Sequence, residues 1–177
     1  MKIPGAAIVL TLSIMIAGNV ESHAEPIYHE TSYPNGDGPF PVVIVLHTSG
    51  GFMTVRKQIA KYTNSGYAVY APDFFRRHGI TQHNRFKTWT TYRVQIEAEL
   101  LEIIDVINND TKADKKNIFA VGFSNGGYWA SFLAARQHVN AGVSHYGVWS
   151  WPISSGWNGY PAQYFDSESN PALAIHG

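Results

Sequence analysis

The sequence predicts an α/β fold: a mostly parallel sheet with helices on both faces. Three observations predict it. Short apolar runs rich in β-branched residues alternate with stretches of helical length and period. One run, Val42-Val43-Ile44-Val45-Leu46, is apolar at every position, as a strand buried on both faces must be. A later run, beginning at Ile118, passes through Gly122-Phe123-Ser124-Asn125-Gly126 straight into a helical pattern. The chain has 177 residues, no internal repeat and no linker, which suits one folded domain.

Residues 1–24 read as a secretory signal. Lys2 gives the positive start, and Ala6 to Ala17 is apolar except for Thr11 and Ser13. Ser22-His23-Ala24 then places small residues where a signal peptidase reads, with Glu25 as the new N-terminus. The apolar run is too short for a membrane anchor, which needs ~20 residues. The expectation is an exported protein, periplasmic or secreted, with no membrane attachment after cleavage and residues 25–177 as its domain.

Ile27 to Ser32 suits a short edge strand, and 33–39 is dense in Pro, Asn and Gly, as a turn requires. Val42–Leu46 is the first central strand and opens into the small-residue loop His47-Thr48-Ser49-Gly50-Gly51. Val55 to Ser65 is expected as a helix stopped by Gly66, and Tyr67 to Ala71 as the next strand, ended by Pro72-Asp73. Phe74 to Thr88 reads as a polar loop. Thr91 to Asn109 is the clearest helix, with Val94, Ala98, Leu101, Ile104 and Ile107 as its inward stripe and Glu97, Glu99 and Glu102 largely off it. Thr111 to Asn117 reads as a charged turn. The strand from Ile118, the helix Gly126–Arg136, the strand Ala141–Tyr146, an irregular aromatic segment over Gly147–Pro171 and a strand at Ala172–Ile175 complete the order. Thr48, Asp73, Ser124 and Gly147 each fall just past a strand end, where parallel sheets collect their working groups.

The chemistry centres on Ser124. G-x-S-x-G between strand and helix is the pattern of a nucleophile elbow. The turn is so tight that side chains two residues before and after the serine would collide, and Gly122 and Gly126 remove them. The helix that starts there aims its free N–H groups and positive end at the site. The Asn125 N–H can then receive a developing oxyanion, with a second N–H from the His47–Gly50 loop, best supplied by Ser49.

Composition narrows the alternatives. Lys+Arg and Asp+Glu both number 13, so bulk charge gives no grip on nucleic acid or anionic membrane. There is no cysteine, which excludes disulfides, thiolate metal sites and a cysteine nucleophile. His78 and His83 have no further ligand at metal spacing and read as residues of a solvated loop; no metal or cofactor is expected.

Three segments, GPFPVVIVLH (38–47), SGYAVYAPDFFRRHG (65–79) and VGFSNGGYWASFLAAR (121–136), resemble the α/β-hydrolase superfamily and, within it, the dienelactone hydrolase-like group. The resemblance runs from about Gly38 to Gly177. It implies an α/β-hydrolase fold and hydrolysis of a small ester or lactone. It also implies an anion-contacting arginine at Arg77, with Arg76 beside it. Dienelactone hydrolases proper carry a cysteine at the elbow and a glutamate after the strand-end histidine; here Ser124 and Thr48 stand there. That favours a serine esterase of the group. In this fold the triad acid and histidine follow the last strand seen here. The sequence is therefore expected to be incomplete at its C-terminus and inactive alone. Asp166 and His176 have the right order but the wrong place relative to that strand, and His145 reads as a packed strand-end histidine. Two other functions stay open: a secreted binding protein with a decayed site, and a serine peptidase of the prolyl-oligopeptidase type. Oligomeric state is not legible.

Overall fold

The computed structural model describes residues 25–149 and 161–176. Its centre is a six-stranded sheet of β1 (His29–Ser32), β2 (Phe40–Leu46), β3 (Ala68–Pro72), β4 (Ala113–Phe123), β5 (Ala141–His145) and β6 (Ala172–Ile175), in spatial order β1-β3-β2-β4-β5-β6. β1 is antiparallel to β3, and every other neighbouring pair is parallel. Parallel strands need long crossovers, and three helices supply those from β2 to β3, β3 to β4 and β4 to β5: α1 (Arg56–Asn64), α2 (Arg93–Asn109) and α3 (Asn125–Ala135).

The alternation of side chains along β2 splits the core in two. Val42, Ile44 and Leu46 pack with Ile96 and Leu100 of α2 and Trp129 and Phe132 of α3. Val43 and Val45 face the other way, onto Val55 and Ile59 at α1. Helices thus cover both faces, as the apolar run of β2 requires. From β2 the chain winds outward to β3; α2 then carries it back past β2 to β4, and it winds the opposite way to β5 and β6. The reversal lies between β2 and β4, so the crevice beyond their carboxyl ends is the expected ligand position. The sheet ends at β6, whose Leu173 and Ile175 are 57% and 45% exposed.

Three local readings differ from the sequence expectation. Helix α2 buries Ile96, Glu99, Leu100, Ile103 and Ile107, while Val94 is 64% exposed. The helix is rotated from the expected stripe because Glu99 turns inward to partners on another element. The charged stretch before Ile118 is not a free turn: Ala113 and Asp114 already pair with Phe40 and Pro41, and the register then jumps to Val42↔Ile118. Lys115, Lys116 and Asn117 bulge out, held by Asp114, whose carboxylate accepts from the Lys116 N–H (3.1 Å) and the Asn117 side chain (2.7 Å). The loop after β3 is not simply polar. Phe74, Phe75, Ile80 and Thr88 are buried, and the loop contains two short 3-10 turns, Arg76–His78 and Gln82–Thr88.

The segment expected as a signal, residues 1–24, and Trp151, Trp157 and Tyr160 of the aromatic segment lie outside the described residues. Tyr164, from the same segment, packs on Phe132 of α3 with ring centroids 5.1 Å apart. Among the described residues no helix is long and apolar enough to cross a membrane.

Candidate active site

Ser124 has φ 52° and ψ −110°, a backbone state that non-glycine residues rarely adopt and that collects at functional sites. Three hydrogen bonds hold it. The Ser124 N–H donates to the His145 carbonyl at the end of β5 (2.9 Å). The Gly126 N–H donates to the His47 carbonyl at the end of β2 (3.0 Å), and the Gly127 N–H to the Ser124 carbonyl (3.0 Å). The elbow is thus clamped to both neighbouring strands. A Cβ at Gly122 would stand 1.9 Å from the Gly126 carbonyl oxygen, and one at Gly126 would stand 2.2 Å from that of Leu46. No side chain fits either place, as the sequence pattern implied. Gly127 is confined too, though less tightly: a Cβ there would lie 2.7 Å from Ser144 Oγ and 2.8 Å from the Gly147 Cα.

Asn125 opens α3 and is fully buried. Its side chain turns inward, where Nδ2 donates to Thr88 Oγ1 (3.2 Å). Its N–H sits in the first turn, where no preceding carbonyl of the helix can accept it. The loop of Ser49 is tied down around Thr48. The Thr48 N–H donates to Thr54 Oγ1 (3.2 Å), the Gly50 N–H to Thr48 Oγ1 (3.0 Å) and the Gly51 N–H to the Thr48 carbonyl (3.0 Å). These bonds use the amides on either side of Ser49 and leave its own N–H out. The two expected oxyanion donors therefore flank the reversal point of the sheet, joined by the Gly126–His47 bond.

His47, fully buried, lies flat on Phe74 (centroids 3.9 Å, 7° between planes) and edge-on to Phe75 (4.7 Å). Its Nδ1 is 2.8 Å from the Thr48 carbonyl, and its Nε2 is 3.4 Å from Asp73 Oδ1, an electrostatic contact rather than an aligned hydrogen bond. Burial pushes the Asp73 carboxyl up, but the contact with His47 and the N–H groups of Phe75 and Arg76 outweigh it and hold it below the usual carboxylate range. Asp73 stands at the strand end expected from the sequence, and its contact with His47 emerges only in the fold.

Among the described residues the Ser124 hydroxyl has no hydrogen-bond partner. His145 is stacked on Phe123 (4.9 Å, 9°), a packed strand-end histidine as expected. His176 is exposed beyond β6. His78 is not solvated: it stacks on Tyr92 (4.5 Å), and its Nε2 is 2.9 Å from Glu99 Oε1. Among the described residues no group of His, Cys, Asp or Glu is placed to hold a metal ion.

Arg77 makes its contacts elsewhere. Its guanidinium pairs with Glu99 (2.9 Å) and Glu102 (3.2 Å) and reaches the Glu25 carbonyl. Any anionic substrate at Arg77 would compete with these carboxylates. A depression of about 330 Å³ beside the loop is lined by Ser49, Gly50, Phe52, Asp73 and Arg76, among others. Arg76 is thus the cation at its rim, its guanidinium also 4.5 Å above the Tyr28 ring.

Strand, strained serine and confined glycines are in place, and a sequence model of the dienelactone hydrolase family matches residues 29–177. The chain belongs to that family. No curated protein matches the chain by sequence. Three solved structures show the shared fold. One, described as a dienelactone hydrolase from Klebsiella pneumoniae, is 23% identical with a TM-score of 0.67, over 82% of this chain and 65% of that one. Thermogutta terrifontis esterase 2, phosphoramylated by tabun, is 15% identical with a TM-score of 0.65, over 84% of this chain and 65% of that one. S-formylglutathione hydrolase from Staphylococcus aureus is 18% identical with a TM-score of 0.59, over 78% of this chain and 62% of that one. This member of the dienelactone hydrolase family thus has the α/β-hydrolase fold and spans less than two thirds of each of these structures.

Proposed function

We propose that this chain carries the nucleophile and oxyanion-binding half of an exported serine hydrolase acting on a small ester or lactone. The observation that carries the reading is Ser124 itself: a strained residue clamped between β2 and β5 at the head of α3, its hydroxyl without a partner among the described residues. Ser124 Oγ attacks the carbonyl carbon. Its proton passes to a histidine, and the carbonyl oxygen, now negative, is received by the N–H groups of Asn125 and Ser49. The tetrahedral adduct collapses, the alcohol leaves with the proton, and water then releases the acid from the acyl-enzyme. The family match supports hydrolysis. The fold it shares with an esterase that tabun phosphoramylates supports an ester-cleaving serine.

The depression beside Ser49 suits the substrate's acyl or alcohol part, with Arg76 at its rim and Arg77 available to an anionic group only at the expense of its ion pairs. No metal or cofactor enters these steps.

The test is hydrolysis of a small aryl ester by the protein expressed from its gene, together with covalent labelling by an organophosphorus probe. Ser124→Ala should lower turnover by at least about a thousandfold and abolish labelling. Turnover near that of the unaltered protein would overturn the assignment. Export is tested separately. The exported form should begin at Glu25 by N-terminal sequencing, and a mature chain beginning at Met1 would refute signal cleavage.

A further inference from the structure

We propose that His47 and Asp73 are positioning residues that set the direction of the Ser49 N–H. The proposal rests on reading Ser124 and the 47–51 loop as a hydrolytic site, and it adds the device that orients one oxyanion donor. His47 is an expensive residue to bury without partners, and it is fully buried. Each of its polar groups holds something different. The carbonyl takes the Gly126 N–H of the elbow (3.0 Å), Nδ1 takes the Thr48 carbonyl (2.8 Å), and Nε2 faces Asp73 (3.4 Å).

Asp73 is itself fixed to the end of β3. Its N–H donates to the Tyr28 carbonyl (2.8 Å), and its Oδ1 accepts from the Phe75 N–H (3.3 Å). Both ring nitrogens of His47 therefore face oxygen acceptors. Nδ1 donates to the Thr48 carbonyl, and the Asp73 carboxylate faces Nε2 across the 3.4 Å electrostatic contact. The flat stack on Phe74 leaves the ring little freedom to turn away.

The step from ring to oxyanion donor is geometric. The Thr48 carbonyl and the Ser49 N–H belong to one planar trans peptide and point in opposite directions across it. His47 Nδ1 and the Gly51 N–H both hold that carbonyl, so the Ser49 N–H must point away from His47. Loss of the ring's orientation frees this peptide to rotate, and a rotated peptide presents a carbonyl where the donor stood. Asp73 touches neither Thr48 nor Ser49 in this scheme; it acts through His47.

Asp73→Asn tests the scheme, since it keeps the shape and the Phe75 bond while removing the charge. In amide NMR spectra of the protein, the Ser49 and Gly51 signals should move while that of Ile59, on α1, stays. In ester hydrolysis kcat should fall at least tenfold with KM within about threefold, and Asp73→Glu should recover part of the loss. Unmoved Ser49 and Gly51 signals, or a loss confined to KM, would overturn the proposal. Should the variant fail to fold, histidine ring ¹⁵N spectra of the unaltered protein read the same contact. A His47 Nε2 proton protected from solvent exchange is expected, and free exchange would overturn the pair. A protein that neither turns over esters nor labels at Ser124 would refute the hydrolase reading, while the amide shifts would still decide the role of His47 and Asp73.

Discussion

Two histidine–carboxylate pairs occur among the described residues, and they differ in an instructive way. His47 lies flat on Phe74 and faces Asp73; His78 lies on Tyr92 and faces Glu99. The chemistry is the same, yet the carboxyls move in opposite directions. Asp73 is held below the usual range, whereas burial pushes Glu99 up despite the opposing pull of His78 and Arg77. The backbone explains the contrast. Asp73 follows a strand, where the turn offers it the Phe75 N–H, and its side chain keeps 18% exposure. Glu99 sits inside α2 at 3% exposure, where the N–H groups are already committed to the preceding turn. A strand end can solvate an anion with its own backbone; a helix interior cannot. That difference lets one pair serve a site while the other fastens a loop to a helix.

The largest expected effect concerns the aromatic supports. Phe74→Ala should cost about 4 kcal/mol of stability, because the ring is fully buried. Tyr92→Ala should cost less than half as much, since Tyr92 is only half-buried. Denaturant unfolding of both variants measures this, and equal losses would break the contrast between the pairs.

A smaller effect concerns pH. A carboxyl raised on folding lends stability that is full below its unfolded pKa, about 4.3 for Glu, and is lost as pH rises through the folded value. Glu99 should therefore give a decline in melting temperature as pH rises above about 4.3. Glu99→Gln should flatten that decline. Asp73 has the opposite sign: its contribution is present above about 3.9 and lost as pH falls through its lower folded value. Asp73→Asn should lower the melting temperature above about pH 4, with the difference fading as pH falls, the smallest change of the set. Identical pH profiles for the two variants would contradict the opposite shifts.

The elbow was legible in the sequence because its constraint is local. Gly122, Ser124 and Gly126 must meet one tight turn, and spacing alone reveals it. The strands were legible for the same reason, through their runs of β-branched residues. The buried face of α2 was not. The segment carries two apolar stripes about a third of a turn apart, one through Val94 and Leu101, the other through Ile96, Leu100 and Ile103. The choice between them is made by Arg77 and His78, about twenty residues upstream, which draw Glu99 inward. His47 and Asp73 were each visible at a strand end, but their pairing depends on β2 and β3 lying side by side. The confinement of Gly127 likewise comes from Ser144 on another strand. The hidden features are those whose cause lies on a different element.

The bulge at Lys115–Asn117 bears on which changes of length this fold can absorb. Before it, Pro41 pairs with Asp114; after it, every residue from Val42↔Ile118 to Leu46↔Gly122 is in step. The three bulged residues are exposed and tethered only by Asp114. Losing or gaining one of them would change the size of the protrusion and leave the far half of β4 in register. The same event between Ile118 and Phe123 would slip the strand by one residue, turn its side chains to the wrong faces and pull Ser124 away from the His145 carbonyl and Gly126 from that of His47. Insertions and deletions in relatives of this chain should accordingly collect at the bulge and stop short of the strand's last six residues.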